Sequence, residues 1–185
     1  MLEPDGRIVH LNEMHVLSFG ELGSASSARV VAIESALSAA RFEAHRSDAI
    51  LQEMWEKWVF IAATAGITCL MRAAIGDIVA AGGADLATAL LEECAAIAAR
   101  NGYPPRAESL QKSLQVLTAA GSPITASMFR DIERGAPIEA EQILGDLLRR
   151  AGQGGADHSL LRVACAHVRA YEARRAREPR AASSN

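Results

Sequence analysis

Ile50-Leu51-Gln52-Glu53-Met54-Trp55-Glu56-Lys57-Trp58-Val59-Phe60-Ile61-Ala62-Ala63-Thr64-Ala65-Gly66-Ile67-Thr68-Cys69-Leu70 is the stretch that decides how this chain folds. Ile50, Leu51, Met54, Trp58, Ile61 and Ala62 recur at helical spacing, and Ser47 or Asp48 stands where an N-terminal cap belongs. No charge appears from Trp58 to Met71. A helix that is apolar nearly all round belongs at the centre of a body made of other helices. The uncharged run is shorter than the roughly 20 residues a bilayer crossing needs, so a core helix is expected and no membrane partner.

Working outward, the serines of the loop Gly23-Ser24-Ala25-Ser26-Ser27 are good caps for a helix running to about Ala40, with Val30, Ile33, Leu37 and Ala40 on one face, and Arg41 to Arg46 reads as a short connection. Downstream, helices are expected over Ala84–Arg100, stopped by Asn101-Gly102 with Pro104-Pro105 beyond, and over Arg106–Ala119, Thr125–Arg134, Ile138–Ala151 and Ser159–Arg175. The opening residues follow another pattern, in which Gly6–His10 and His15–Gly20 read as two short strands separated by a polar turn. Two strands are hardly stable alone, so they should pair with the helical body, a second copy, or a sheet outside this chain. His10 and His15 lack the spacing of a helical metal pair and read as surface or strand-end residues, so no metal is expected.

Composition agrees with a mainly α chain. Half of the 185 residues are hydrophobic but only 4% are aromatic, which favours helices packed through small side chains over a β-sandwich. A net charge of -3 provides no overall attraction to nucleic acid, and the arginines between Arg169 and Arg180 read as the solvated end of a last helix. Cys69, Cys94 and Cys165 lie far apart within apolar patterns, as reduced thiols of a cytoplasmic protein do. The start has neither the basic nor the apolar region of a signal peptide.

Lys57 carries the chemical interest. It stands among Met54, Trp55, Trp58, Val59, Phe60 and Ile61, and if desolvated its pKa would fall, leaving an amine poised to exchange a proton near neutrality. The competing reading has Lys57 extended to solvent and paired with Glu53 or Glu56, and periodicity alone favours it. A second feature runs from Ser127-Met128-Phe129-Arg130-Asp131 through Gly135 to Glu139, Glu141 and Gly145. Two helices meet there around a tight turn, which can bring Ser127 and Glu139 together at adjacent helix starts that favour an anionic group; equally, both can be ordinary capping residues.

Trp55-Glu56-Lys57, then Ser127-Met128 with Asp131, then Glu139, Glu141 and Gly145, together resemble the C-terminal domain of ketopantoate reductase (2-dehydropantoate 2-reductase), over nearly the whole chain from Gly6 to about Arg175. The resemblance implies a helical bundle of the 6-phosphogluconate dehydrogenase C-terminal type. It also implies an oxidoreductase that reduces a 2-keto acid to a 2-hydroxy acid with NADPH. Lys57 is then the general acid that protonates the keto oxygen, Glu139 binds substrate hydroxyls and holds the lysine, and Ser127 holds the carboxylate end. Residues 1–24 become the last strands of a Rossmann domain, 25–178 the catalytic and substrate domain, and 179–185 a disordered tail.

Two departures qualify this. The family's typical enzyme has asparagines four and eight residues after the lysine, where this chain has Ile61 and Ala65. A more apolar pocket follows, with ketopantoate disfavoured as the preferred substrate. No G-x-G-x-x-G follows a strand, and the chain leaves no room for the βαβ units that would bind a pyrophosphate. By itself, then, the chain is not expected to bind NADP(H), and it calls for a separate Rossmann-domain partner or a homodimer. The alternative is a catalytically silent helical module that dimerises or docks; a generic ligand-binding helical domain would instead scatter Lys57, Ser127 and Glu139 over the surface.

Overall fold

The computed structural model describes residues 3, 5–9, 15–23, 26–152 and 159–178, and the chain divides into two compact units, Met1–Glu53 and Met54–Asn185. In the first unit β1 (Val16–Phe19) is followed by α1 (Ala28–Leu37) and β2 (Glu43–Arg46). The strands run parallel, with Val16 opposite Glu43 and Phe19 opposite Arg46. Parallel strands need a crossover, and α1 provides it, capped by Ser27, whose hydroxyl accepts the Val30 N–H at 3.2 Å.

One βαβ unit is therefore present among the described residues, in a chain expected to have no room for the βαβ units that would bind a pyrophosphate. Its second strand lies within the stretch expected to be a connection. Glu43-Ala44-His45-Arg46 carries no apolar alternation, so nothing local marks it as a strand; its pairing with the apolar β1 does. Within Gly6–His10, Ile8 forms an isolated bridge, and His10 to Met14 lie outside the described residues. Val16 and Leu17, on opposite faces of β1, remain 47% and 46% exposed, whereas parallel sheets are ordinarily covered on both faces. On α1 only Val30 of the anticipated apolar face is buried.

α2 (Ile50–Met71) leads into the second unit, which continues with α3 (Ile75–Ala80), α4 (Ala84–Arg100), α5 (Ala107–Leu117) and α6 (Ser127–Glu133). A π-helical turn, Glu141–Gly145, then runs into α7 (Asp146–Arg150), and α8 (Leu160–Arg177) follows. The fold is mainly α, as the sequence implied. Val59 and Ile67 of α2, Leu90 of α4, Leu144 of the π turn, Leu147 of α7 and Val168 of α8 are buried in one core. Ala62, Ala63, Ala98 and Ala164 are buried beside them, and such small side chains allow close helix approach.

The anticipated α4 matches its observed bounds, with Asn101 as its C-cap. α3 was not anticipated: it is six residues long, and the turn before it carries Arg72 at φ 54, where α2 ends. Its start is pinned to the segment ahead of α6. Ile75 N–H donates to Ile124 O at 3.0 Å and Gly76 N–H to Ser122 O at 2.8 Å. A Cβ at position 76 would strike the Gly121 and Ser122 backbone, so the close approach needs glycine. No helix of the described residues is long and apolar enough to cross a membrane.

Candidate functional site

α2 organises the site because its two halves behave differently. From Ala62 to Cys69 it is buried on every side. The two hydroxyls within that run turn inward on the helix: Thr64 Oγ1 donates to Phe60 O and Thr68 Oγ1 to Thr64 O, both at 2.7 Å. The first half is more open. Lys57 is exposed, beside Met54, which is 57% exposed, and the half-buried Phe60 and Ile61.

The carboxylates expected to pair with Lys57 are engaged elsewhere. Glu53 accepts the Ser47 hydroxyl at 2.6 Å and lies 3.4 Å from His45 Nε2. Glu56, buried, accepts Arg106 N–H, Nε and Nη2 at 2.9, 2.8 and 2.6 Å, tying the start of α5 to α2. Three charge-assisted bonds compensate a carboxylate removed from water. Among the described residues, the Lys57 side chain makes no hydrogen bond or ion pair.

Trp58 joins α2 to the π turn. Its indole N–H donates to Ile143 O at 3.0 Å, as a half-buried indole usually requires of some acceptor. Trp58 packs at 5.0 Å on Trp55, which stacks on Tyr103 at 5.3 Å, and the Arg150 guanidinium lies 5.5 Å from both indole rings. Glu139 precedes the π turn: its carbonyl accepts the Ile143 N–H at 3.1 Å, and its side chain is exposed. α8 fixes the approach to it, through Tyr171 OH to Ala136 O at 2.7 Å, Arg175 Nε to Gly135 O at 2.9 Å, and Glu172, which accepts the Ile138 N–H at 3.3 Å.

Ser127 is the first residue of α6, exposed, one position past its cap residue Ala126. The Ala126 N–H donates to Thr68 Oγ1 at 3.4 Å, which sets the start of α6 against the far half of α2. Lys57, Ile61, Thr64 and Thr68 share one face of α2, and at the helical rise Lys57 and Thr68 stand about 16 Å apart along its axis. Of the three candidates, Ser127 thus begins a helix tied to the end of α2 far from Lys57, and Glu139 is connected to the Lys57 end through the Ile143 backbone and the Trp58 indole. No hydrogen bond or ion pair links their side chains. Neither Ser127 nor Glu139 caps a helix with its side chain, which is what the capping alternative required.

Glu141, two residues on, is held by α8 and α7. Arg169 Nε donates to it at 2.5 Å and Arg149 Nη1 at 2.9 Å. The Arg169 guanidinium first, then Arg149, lowers its carboxyl to about 2. The carboxylate lies over Gly145, where a Cβ would meet Glu141 Cδ at 2.9 Å. Sequence reasoning noted Glu141 and Gly145 but missed the part played by Trp58. Its N–H, in an otherwise apolar helix face, was the available signal.

In the first unit, the loop after β1 bears on dinucleotide binding. Glu21 accepts hydrogen bonds from the Ser27 hydroxyl and the Arg29 guanidinium at the start of α1. Arg29, then Ser27, holds its carboxyl below the ordinary range. A carboxylate at that position repels a pyrophosphate, and Gly20-Glu21-Leu22-Gly23 does not supply the glycine pattern, so these residues do not fit the phosphates of NADP(H).

Comparison with known proteins agrees with this architecture. Residues 49–172 match the family model described as Ketopantoate reductase PanE/ApbA C terminal. The uncharacterized oxidoreductase YkpB of Bacillus subtilis is 31% identical over 173 residues, 93% of this chain and 57% of the relative. The 2-dehydropantoate 2-reductase of Archaeoglobus fulgidus is 28% identical over 172 residues, again covering 57% of its length. The crystal structure of 2-dehydropantoate 2-reductase from Methylococcus capsulatus matches with a TM-score of 0.76 at 25% identity, covering 90% of this chain and 58% of that one. The chain thus spans somewhat more than half the length of these relatives.

Proposed function

Because the chain belongs to the ketopantoate reductase family, as its C-terminal helical domain, we propose that it is the substrate-side half of an NADPH-dependent reductase of a 2-keto acid. The observation that carries this reading is Lys57: an exposed ammonium in the first half of α2, beside Met54, Phe60 and Ile61, whose side chain makes no hydrogen bond or ion pair among the described residues. Reduction of a carbonyl puts negative charge on the keto oxygen. The Lys57 ammonium stabilises that charge and donates a Nζ proton to it, yielding the hydroxyl. Glu139, one helical turn before Ile143, orients the lysine or a substrate hydroxyl, and Ser127 receives the carboxylate end. The hydride would come from NADPH held outside the described residues, given the poor fit of the Glu21 loop.

Ile61, half-buried four residues after Lys57, and Ala65, buried eight after it, offer no hydrogen bond to a hydroxylated substrate. Ketopantoate is therefore not the favoured substrate in this reading. Three buried cysteines without a disulfide support a cytoplasmic setting. The exposed Val16 and Leu17 favour a second reading, a catalytically silent module that docks or dimerises through its parallel strands.

Calorimetric titration with 2-ketoisovalerate separates the two. The first reading expects saturable binding, weakened about ten-fold or more in Lys57→Ala, as loss of a charge-assisted contact implies. Equal affinity of the wild-type and Lys57→Ala chains, or no binding by either, favours the silent module. A parallel titration with NADPH fluorescence should show no tight complex with the chain alone.

A further inference from the structure

We infer that Trp58 is a positioning residue that sets Glu139 against Lys57, an inference that rests on the functional reading above. Trp58 is the residue after Lys57, and its indole N–H reaches across 85 positions of sequence to Ile143 O at 3.0 Å. Ile143 N–H in turn donates to Glu139 O at 3.1 Å. One peptide bond and two hydrogen bonds therefore connect the Lys57 backbone to the Glu139 backbone, by a route that does not pass through α8.

The indole grips an irregular part of the chain. In the π turn Glu141–Gly145, Asp146 N–H bonds back to Glu141 O, five residues away, instead of four. The Trp58 indole donates to Ile143 O within this turn and so fastens it to α2 from outside. The same ring also lies beneath Arg150, whose Nε donates to Asp146 at 3.2 Å. Edge and face of one indole thus hold both the π turn and α7 to α2. On the opposite side Arg169 of α8 holds Glu141. The segment entered at Glu139 is clamped from two helices, and only the α2 clamp starts beside Lys57.

Trp58→Phe removes the N–H and keeps a ring for Arg150. Titration of 2-ketoisovalerate into the wild-type chain, Trp58→Phe, Glu139→Gln and the double variant tests the inference. Trp58→Phe should weaken binding about three- to ten-fold in the wild-type background and leave it unchanged in Glu139→Gln, the signature of two residues acting through one contact. Unaltered affinity in Trp58→Phe, or an equal loss in both backgrounds, overturns the positioning role. Loss with Lys57→Ala but none with Glu139→Gln overturns it too, while sparing the functional reading. Absence of binding by the wild-type chain removes the functional reading itself, and this inference with it. Should Trp58→Phe fail to fold, the Trp58 indole N–H resonance decides the question with the indole intact. It should shift on probe addition in the wild-type chain and not in Glu139→Gln; equal shifts in both overturn the inference.

Discussion

Replacing Gly76 by alanine should destabilise the second unit by about 2–4 kcal/mol, through overpacking against backbone that cannot rotate away. The added Cβ would lie 2.6 Å from Gly121 C and 2.8 Å from Gly121 Cα, with Ser122 N closer still. Carbon atoms prefer about 3.5–4.0 Å, so the Gly121–Ser122 segment must retreat by roughly 1 Å. Such a retreat breaks the 2.8 Å bond from Gly76 N–H to Ser122 O and strains the 3.0 Å bond from Ile75 N–H to Ile124 O. Each contributes about 1 kcal/mol, and the crowding adds about 1–3 kcal/mol. Alanine's better helix propensity returns about 0.5–1 kcal/mol.

Gly145→Ala is the matched control. Its Cβ also meets atoms below 3 Å, Glu141 Oε2 and, at 2.9 Å, Glu141 Cδ, but these belong to a half-exposed side chain that can swing outward by giving up its arginine pairs. The change should cost less than about 1 kcal/mol, the usual worth of exposed ion pairs. Urea unfolding followed by far-ultraviolet circular dichroism reads both, with melting temperature expected to fall by about 5–15 °C in Gly76→Ala. A Gly76→Ala chain within about 0.5 kcal/mol of wild type, the range of ordinary surface changes, refutes the pinned segment. Equal losses in the two variants would show that the difference between backbone and side-chain neighbours does not matter here. The segment leads to Ser127, so the same variant also shows how far that residue's placement depends on α3.

Two further outcomes follow from the charged and buried groups. Glu141, with a folded value of about 2 against 4.5, favours the folded state fully above about pH 4.5 and loses that contribution as pH falls toward 2. Half exposure limits it to less than about 1 kcal/mol; the stability gap between wild type and Glu141→Gln should therefore close between pH 5 and 2 in acid-branch urea titrations, and a constant gap would exclude the Arg169 and Arg149 pairing as its origin. Burial pushes the Cys69 thiol up to about 12 and raises Cys94 and Cys165 as well. Ellman's reagent at neutral pH should accordingly label none of the three until the chain unfolds, and rapid labelling of the native chain would show that the core opens.

Much of the fold was legible because it is local. Periodic apolar residues and Asn101-Gly102 defined α4 to its ends, and Ser27 and Ser159 marked the starts of α1 and α8. Glu43–Arg46 was not legible, because a polar tetrapeptide becomes a strand only when β1 pairs with it. The π turn was hidden for a similar reason: Ile138–Ala151 has the apolar spacing of an ordinary helix, and the extra residue is accommodated through contacts from Trp58 and Arg169. For the site, Lys57 stood out as a lone cation in an apolar helix. Its extension to solvent is the reading that periodicity favours, whereas the engagement of Glu53 and Glu56 elsewhere could not be read from their spacing.

The sequence by itself determined a central apolar helix, its flanking helices and a lysine out of keeping with its neighbours, because these depend on residues three or four apart. Only tertiary structure decided which distant segments are fastened to that helix. The bond from Trp58 to Ile143, the tie from Ala126 to Thr68 and the pairing of Glu56 with Arg106 join positions 50 to 85 residues apart. Which surfaces meet over such separations is set by how whole helices pack, and no short window of sequence contains that information.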